Sequence, residues 1–237
     1  MLSSLIQAIA SGENVGLSLI VEICALVFIA VCCFPIHESA HAWMAERLGD
    51  STGRLSGRIT LNPMAHLDII GTVMMLLFGF GYAKPVPVNI RNFPPKKRKL
   101  YFGLVAIAGP ISNLLLAIVF SLLYWVFRVI MYRTGSDSNA LLAATFFFSN
   151  ASYINVALAV FNLIPVPPLD GSRVLTAVLP DHIYYKIMQY ERYMMYGLFA
   201  VIFLFNRIGF SPISIAAAFI SGLINALTGL PFTALLS

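Results

Sequence analysis

Charged residues are scarce in this chain: Asp, Glu, Lys and Arg make up 11% of 237 residues, where a soluble domain carries roughly 25%. The shortage excludes an ordinary water-soluble globule. Disorder is excluded as well, because 59% of the residues are hydrophobic and the mean hydropathy is +0.85, too apolar for a solvated coil. Cysteine is almost absent. Cys24, Cys32 and Cys33 share one apolar run, so they make neither a spaced disulfide framework nor a CxxC site and behave as small buried hydrophobes. No Lys or Arg precedes Arg47, so the opening MLSSLIQAIASGEN lacks the basic start of a removable signal peptide, and the first span is expected to insert uncleaved. Internal repeats and polar inserts of domain size are also missing, which leaves one integral membrane domain over residues 1–237.

What is present is a series of long apolar runs. Gly16 to Ile36 is almost wholly apolar and passes straight into HESAHAWMAERLG, which reads as helix until Gly49. The polar stretch DSTGRLSGRITLNPMAHLD suits loop or short strand. Ile69 to Ala83, about 15 residues, is shorter than the roughly 17 to 25 a spanning helix needs. The Pro-rich, basic KPVPVNIRNFPPKKRK follows, and its alternating PVPVN suits an extended edge segment. Leu100 to Ile130 is apolar, interrupted by Gly109-Pro110. Ala140 to Leu163 comes next and is closed by IPVPPLDGSR, and apolar runs near Tyr193 to Phe205 and from Pro212 to about Leu230 end the chain. The expected fold is an all-α polytopic membrane protein of about five or six membrane segments. Its core lies at about residues 16–178 and its C-terminal segments at about 183–230.

Twelve of the fifteen basic residues fall into three loops: Arg47, Arg54 and Arg58; Lys84, Arg91 and Lys96 to Lys99; Arg173, Lys186 and Arg192. The positive-inside rule makes these loops cytoplasmic and puts the N-terminus outside. The net charge of +5 therefore reads as orientation and lipid-headgroup attraction, with no nucleic-acid partner. Two of the loops flank residues 69–83, so that segment is expected to enter and leave by one face, as a re-entrant element or a short β element after the first helix.

Two of the four histidines stand in His37-Glu38-Ser39-Ala40-His41. Positions i and i+4 share a helical face, so both imidazoles can reach one metal ion, with Glu38 beside them to take a proton from an attacking water. Ionisable groups in an apolar span are costly and functional by default. A catalytic metal site of this type takes three protein ligands, and the candidates for the third are Asp170, Asp68 and His66. Prolines before Asp170 break the helix and can turn that carboxylate back toward the bundle, at the same depth as His41 on the charge map. His66 could visit the metal in a resting state, or Asn62, His66 and Asp68 could simply tie down a loop; short polar residues after Asn-Pro favour the loop role.

HESAH at the end of an apolar helix, AGPISN in a later span and FNLIPVPPLDG after another resemble the site-2 protease family of intramembrane zinc metalloproteases, over roughly Phe28 to Val178. The resemblance implies zinc held by His37, His41 and Asp170, Glu38 as general base, and Asn162 and Asn113 as substrate-binding residues. It also implies a membrane-spanning protein substrate cut near the cytoplasmic side, in the cell membrane. NPMAHLD and GYAKPVPVN are similar to the compact branch that lacks PDZ or CBS domains. Two other readings use the same residues: a metal-binding membrane transporter, and a non-cleaving relative that binds membrane helices. Ligands toward one face without paired halves speak against the first, and the presence of Glu38, dispensable for mere binding, speaks against the second.

Overall fold

The computed structural model describes residues 15–68, 71, 73, 83–136, 138–207 and 211–236. These residues form an all-α membrane protein with no β-strand among them. The first rod consists of α1 (Val15–Phe28), a π-helical turn (Ile29–Cys33) and α2 (Phe34–Arg47). A short α3 (Thr52–Leu55) and three 3-10 turns lead to α4 (Arg98–Thr134), then α5 (Asn139–Asn162), a five-residue α6 (Asp170–Val174), α7 (Asp181–Gln189), α8 (Glu191–Arg207) and α9 (Pro212–Leu236). Four helices among the described residues are long and apolar enough to cross a membrane: Ile23–Arg47, Pro95–Thr134, Asn139–Asn162 and Pro212–Thr233. Helix is the expected choice for such sequences, because lipid offers no partner to a backbone that leaves its own groups unbonded.

The first helix passes Pro35 without breaking. The Phe34 N–H bonds the Ile29 carbonyl, five residues back, and this widened π turn lies just where a proline ring would strike the carbonyl four residues earlier. Gly109-Pro110 likewise does not interrupt α4, which runs 37 residues and stops at Gly135 in the left-handed conformation (φ +58°).

Small residues let the helices approach. Ala25, Ala42, Ala45, Ala117, Ala151, Ala159 and Ala217 are all fully buried, as expected where lipid supplies no hydrophobic drive and packing depends on close backbones. Phe28, Phe120, Phe147 and Phe148 fill the junction of α1, α4 and α5. The last helix docks on α4 through Trp125, whose indole N–H donates to the Asn225 carbonyl and whose ring lies against Gly229, with a Ser121–Thr228 hydroxyl pair at 2.7 Å alongside. Leu104, Ile111, Leu115, Ile118, Val119 and Leu122 of α4 point outward as a lipid-facing belt.

The polar loops are tied together by Asp50, which is fully buried. Its carboxylate accepts from the Thr52 N–H and hydroxyl, from the Asn89 N–H at 2.7 Å and from the Asn92 amide at 2.7 Å. Burial alone would push this carboxyl up; the donors outweigh it and hold the group below the usual carboxylate range. The Arg58 guanidinium donates to the carbonyls of Ala65 and Lys84. Leu67 and Ala83 pair as an isolated antiparallel bridge, and the Lys84 N–H bonds the His66 carbonyl at 2.7 Å. The two ends of the 69–83 segment therefore sit side by side. The interior of that segment, and with it the choice between a re-entrant helix and a β element, lies outside the described residues apart from positions 71 and 73.

Candidate metal centre

Three elements converge on one point. The helical stretch α2 carries His37 and His41 on one face, both buried; α4 presents Val105 and Gly109 to them; and Asp170 begins α6. Asp170 reaches the bundle because α5 stops at Asn162 and Pro165, Pro167 and Pro168 forbid its continuation. The chain then folds back so tightly that a β-carbon at Gly171 would fall on the carbonyl groups of Leu163 and Ile164.

The Asp170 Oδ2 lies 3.3 Å from His37 Nε2 and 3.2 Å from His41 Nε2, and the two imidazole nitrogens are 3.1 Å apart. A tetrahedral zinc with bonds of about 2.0–2.1 Å spaces its ligand atoms about 3.3–3.4 Å apart, so this near-equilateral triangle matches one face of such a site. The donor set agrees. The Val105 carbonyl, 2.7 Å from His41 Nδ1, can only accept, so in the neutral imidazole Nδ1 carries the hydrogen and Nε2 turns a lone pair to the centre. Electron pairs and a carboxylate aimed at one point call for a cation. Space is left for it: a β-carbon at Gly109 would lie 2.6 Å from His37 Nε2 and Cε1 and closer still to His41 Nε2.

Glu38 lies on the same helix, half-buried. Next to it, the Ser39 hydroxyl donates to the Thr60 carbonyl at 2.6 Å and fastens the loop to α2. That same carbonyl receives the Nε2–H of His66 at 2.9 Å, and Asn62 and Asp68 accept from the N–H groups of Met64 and Gly71. His66 and Asp68 are thus engaged in the loop, and the three-residue metal-competent cluster consists of His37, His41 and Asp170. Asn162 is the last residue of α5 and half-buried. Asn113, one turn beyond Gly109, is 1% exposed, with its side-chain oxygen buried. Reading the motifs alone did not single out the Val105 carbonyl, which no motif encodes, or the need for glycine at 171.

The comparisons with known proteins fit this arrangement. The family model for peptidase family M50 matches residues 126–205, a stretch that contains Asp170. A Bacillus subtilis protein named "Putative zinc metalloprotease YwhC" is 44% identical over 171 residues, covering 71% of this chain and 75% of the relative. A Methanocaldococcus jannaschii protein named "Putative zinc metalloprotease MJ0611" is 34% identical over 111 residues, 45% of this chain and 49% of that protein. A third, "Putative zinc metalloprotease Rip2" of Mycolicibacterium smegmatis, is 28% identical over 57% of this chain and 50% of its own length. No solved structure matches the chain. With apolar helices of spanning length and a relative this similar over three quarters of its length, the chain belongs to peptidase family M50, the site-2 protease family of membrane zinc proteases.

Proposed function

We propose that this protein is a zinc-dependent endopeptidase, a single integral membrane domain that hydrolyses peptide bonds of membrane-spanning proteins near the cytoplasmic side of the cell membrane. The observation that carries the reading is the triangle of His37 Nε2, His41 Nε2 and Asp170 Oδ2, with sides of 3.1 to 3.3 Å, buried between helices of spanning length. Zinc bound to these three residues supplies Lewis-acid chemistry, acidifying water and polarising the scissile carbonyl. Glu38 accepts the proton of the attacking water and returns it to the departing amine nitrogen, so the carboxylate is regenerated in each turnover. Val105 holds His41 in the tautomer that faces the ion, and the missing side chain at Gly109 keeps the ion's place open.

Orientation rests on charge. The basic loops at 47–58 and 84–99 lie toward the cytoplasm and the N-terminus lies outside. Trp43, with the Arg47 guanidinium 5.2 Å from its ring centre, is the kind of amphipathic anchor that sits at a membrane–water interface, and it lies within two turns of His37 and His41. A spanning substrate helix hides its amides in its own hydrogen bonds and must unwind before attack. The extended Pro85–Asn89 stretch offers an edge on which the unwound chain can pair, and Asn162 holds it beside Asp170. Helix-breaking residues in a substrate therefore favour cleavage.

The test uses purified full-length protein and a single-span substrate, with zinc content and cleavage measured on the same samples. Glu38→Gln is expected to keep zinc and lose cleavage by about 100- to 10,000-fold, the usual contribution of general acid–base catalysis. His37→Ala and Asp170→Ala are expected to lose the metal. Full activity in Glu38→Gln, or a full complement of zinc in His37→Ala, refutes the reading.

A further inference from the structure

The two histidines of the centre are not supported alike. His41 Nδ1 donates to the Val105 carbonyl, whereas His37 Nδ1 is buried without a protein partner. Metal-bound imidazoles almost always donate their second N–H to a fixed acceptor, so His37 calls for one. Three further polar atoms among the described residues share its condition: Nδ1 of His66, in the loop, and the side-chain oxygens of Asn113 and Asn155, which are 1% and 0% exposed. The Asn155 amide is oriented without ambiguity, because its Nδ2 donates to the Ala151 carbonyl at 2.8 Å, which only an N–H can do.

Helix register brings the two asparagines to one level, one turn from His37. The Ser152 hydroxyl donates to the Ala117 carbonyl at 2.9 Å, so one turn toward the cytoplasmic ends of the antiparallel α4 and α5 sets Asn113 level with Asn155. Asn155 Nδ2 also lies 3.6 Å from the Cys33 sulfur, and Cys33 stands one turn before His37 on the same rod. Asn113 is likewise one turn from Gly109, which abuts the His37 ring. A buried tier holding one N–H donor and two carbonyl-type acceptors is complementary to a water molecule, which has one lone pair to offer the donor and two hydrogens to give the acceptors.

We propose that Asn113 and Asn155 hold an internal water that accepts the Nδ1–H of His37, making the two asparagines positioning residues for the metal centre. The inference rests on the ligand set proposed above. The asparagine tier does for His37 what the Val105 carbonyl does for His41: it fixes the tautomer and the ring plane. The two asparagines act through one shared molecule.

The test combines zinc competition against a chelator with nitrogen NMR of the histidine rings, on full-length protein in detergent. Asn155→Leu and Asn113→Leu are each expected to weaken zinc binding by about 10- to 100-fold, the usual effect of removing a support behind a metal ligand. The double variant is expected to lose no more than either single one, since both remove the same water. In zinc-loaded wild type, the His37 Nδ1–H is expected to show an exchange cross-peak with water that the His41 Nδ1–H lacks. Zinc affinity within twofold of wild type in Asn155→Leu, or fully additive losses, overturns the proposal. If the variants do not fold, the wild-type spectrum decides alone, and no water cross-peak at His37 overturns it. Failure of the ligand assignment itself looks different: wild type without zinc, or zinc retained in His37→Ala.

Discussion

Gly109→Ala isolates the geometry of the centre from the stability of the fold. The added β-carbon would lie 2.6 Å from His37 Nε2 and nearer to His41 Nε2, while ordinary contact begins at about 3.4 Å. With the backbone in place both imidazoles must therefore retreat, His37 by about 0.8 Å and His41 by more, several times the ±0.2 Å within which metal–ligand distances are held. That displacement removes a ligand outright, so zinc affinity is expected to fall by more than the roughly 100-fold that marks the upper end for loss of a supporting hydrogen bond. Alanine is the better helix former by about 1 kcal/mol, so the metal-free protein loses nothing to backbone propensity. The assay is zinc per chain after dialysis against a chelator, read beside the thermal melt of the metal-free form. Gly197→Ala and Gly222→Ala serve as controls, because a β-carbon at either position meets nothing within 4 Å. Wild-type zinc content in Gly109→Ala refutes the argument that α4 forms a wall of the centre.

His66→Ala is expected to keep its zinc, because this ring is bonded to the Thr60 carbonyl and stands outside the triad; metal analysis of the variant checks it, and loss of zinc would mean that His66 is a ligand. Asp50→Ala strands the donors of Asn89 and Asn92 and is expected to cost about 3 kcal/mol, read as a lower melting temperature. Because the Asp50 carboxyl is held below its ordinary value, its contribution is fully present above the free-carboxylate pKa of about 3.9 and is lost as pH falls through the depressed folded value. Proteolysis of the 84–97 loop should therefore rise in acid in wild type, and in Asp50→Asn it should be raised already at neutral pH. Gly229→Ala drives a methyl into the Trp125 ring, at 2.5 to 2.6 Å, and is expected to cost about 1–3 kcal/mol while leaving zinc content unchanged.

The membrane helices and the chemistry-bearing residues were legible in the sequence because both announce themselves locally. Apolar runs of spanning length have few alternatives in lipid, and His37 and His41 share a helical face by spacing alone. The third member of the cluster is harder to read. Asp170 is distant in sequence, and the proline break, its depth on the charge map and the family resemblance favour it over His66 and Asp68. What the sequence left hidden is what depends on packing between helices: the Val105 carbonyl behind His41, the tight return that requires Gly171, and the asparagine tier behind His37. Asn155 reads as an ordinary interhelical polar residue until its neighbours on α4 and the first rod are known. Loop or short strand is what residues 50–68 suggest, and they are loop: one turn of helix at Thr52–Leu55, one 3-10 turn at Pro63–Ala65 and a single β-bridge at Leu67, pinned by Asp50 and Arg58.

One regularity links the three elements of the centre. Each carries its contribution beside proline: the π turn and Pro35 come just before His37, Pro110 follows Gly109 within an unbroken α4, and the Pro165–Pro168 turn precedes Asp170. A proline has no N–H to give the carbonyl four residues earlier, and in a membrane a carbonyl so freed persists only where protein or a wet cavity receives it. Prolines from three distant parts of the chain meeting at one point therefore mark a polar interior, and side-chain hydrogen bonds to main-chain carbonyls are found there. The Val105 carbonyl takes the His41 N–H, and the tight turn into α6 is closed by the Ser172 hydroxyl on the Leu169 carbonyl at 2.7 Å. The proline turn after α5 thus carries as much of the site's construction as the polar side chains themselves, because without it α5 would run on past its neighbours and the Asp170 carboxylate would have no path back to the histidines.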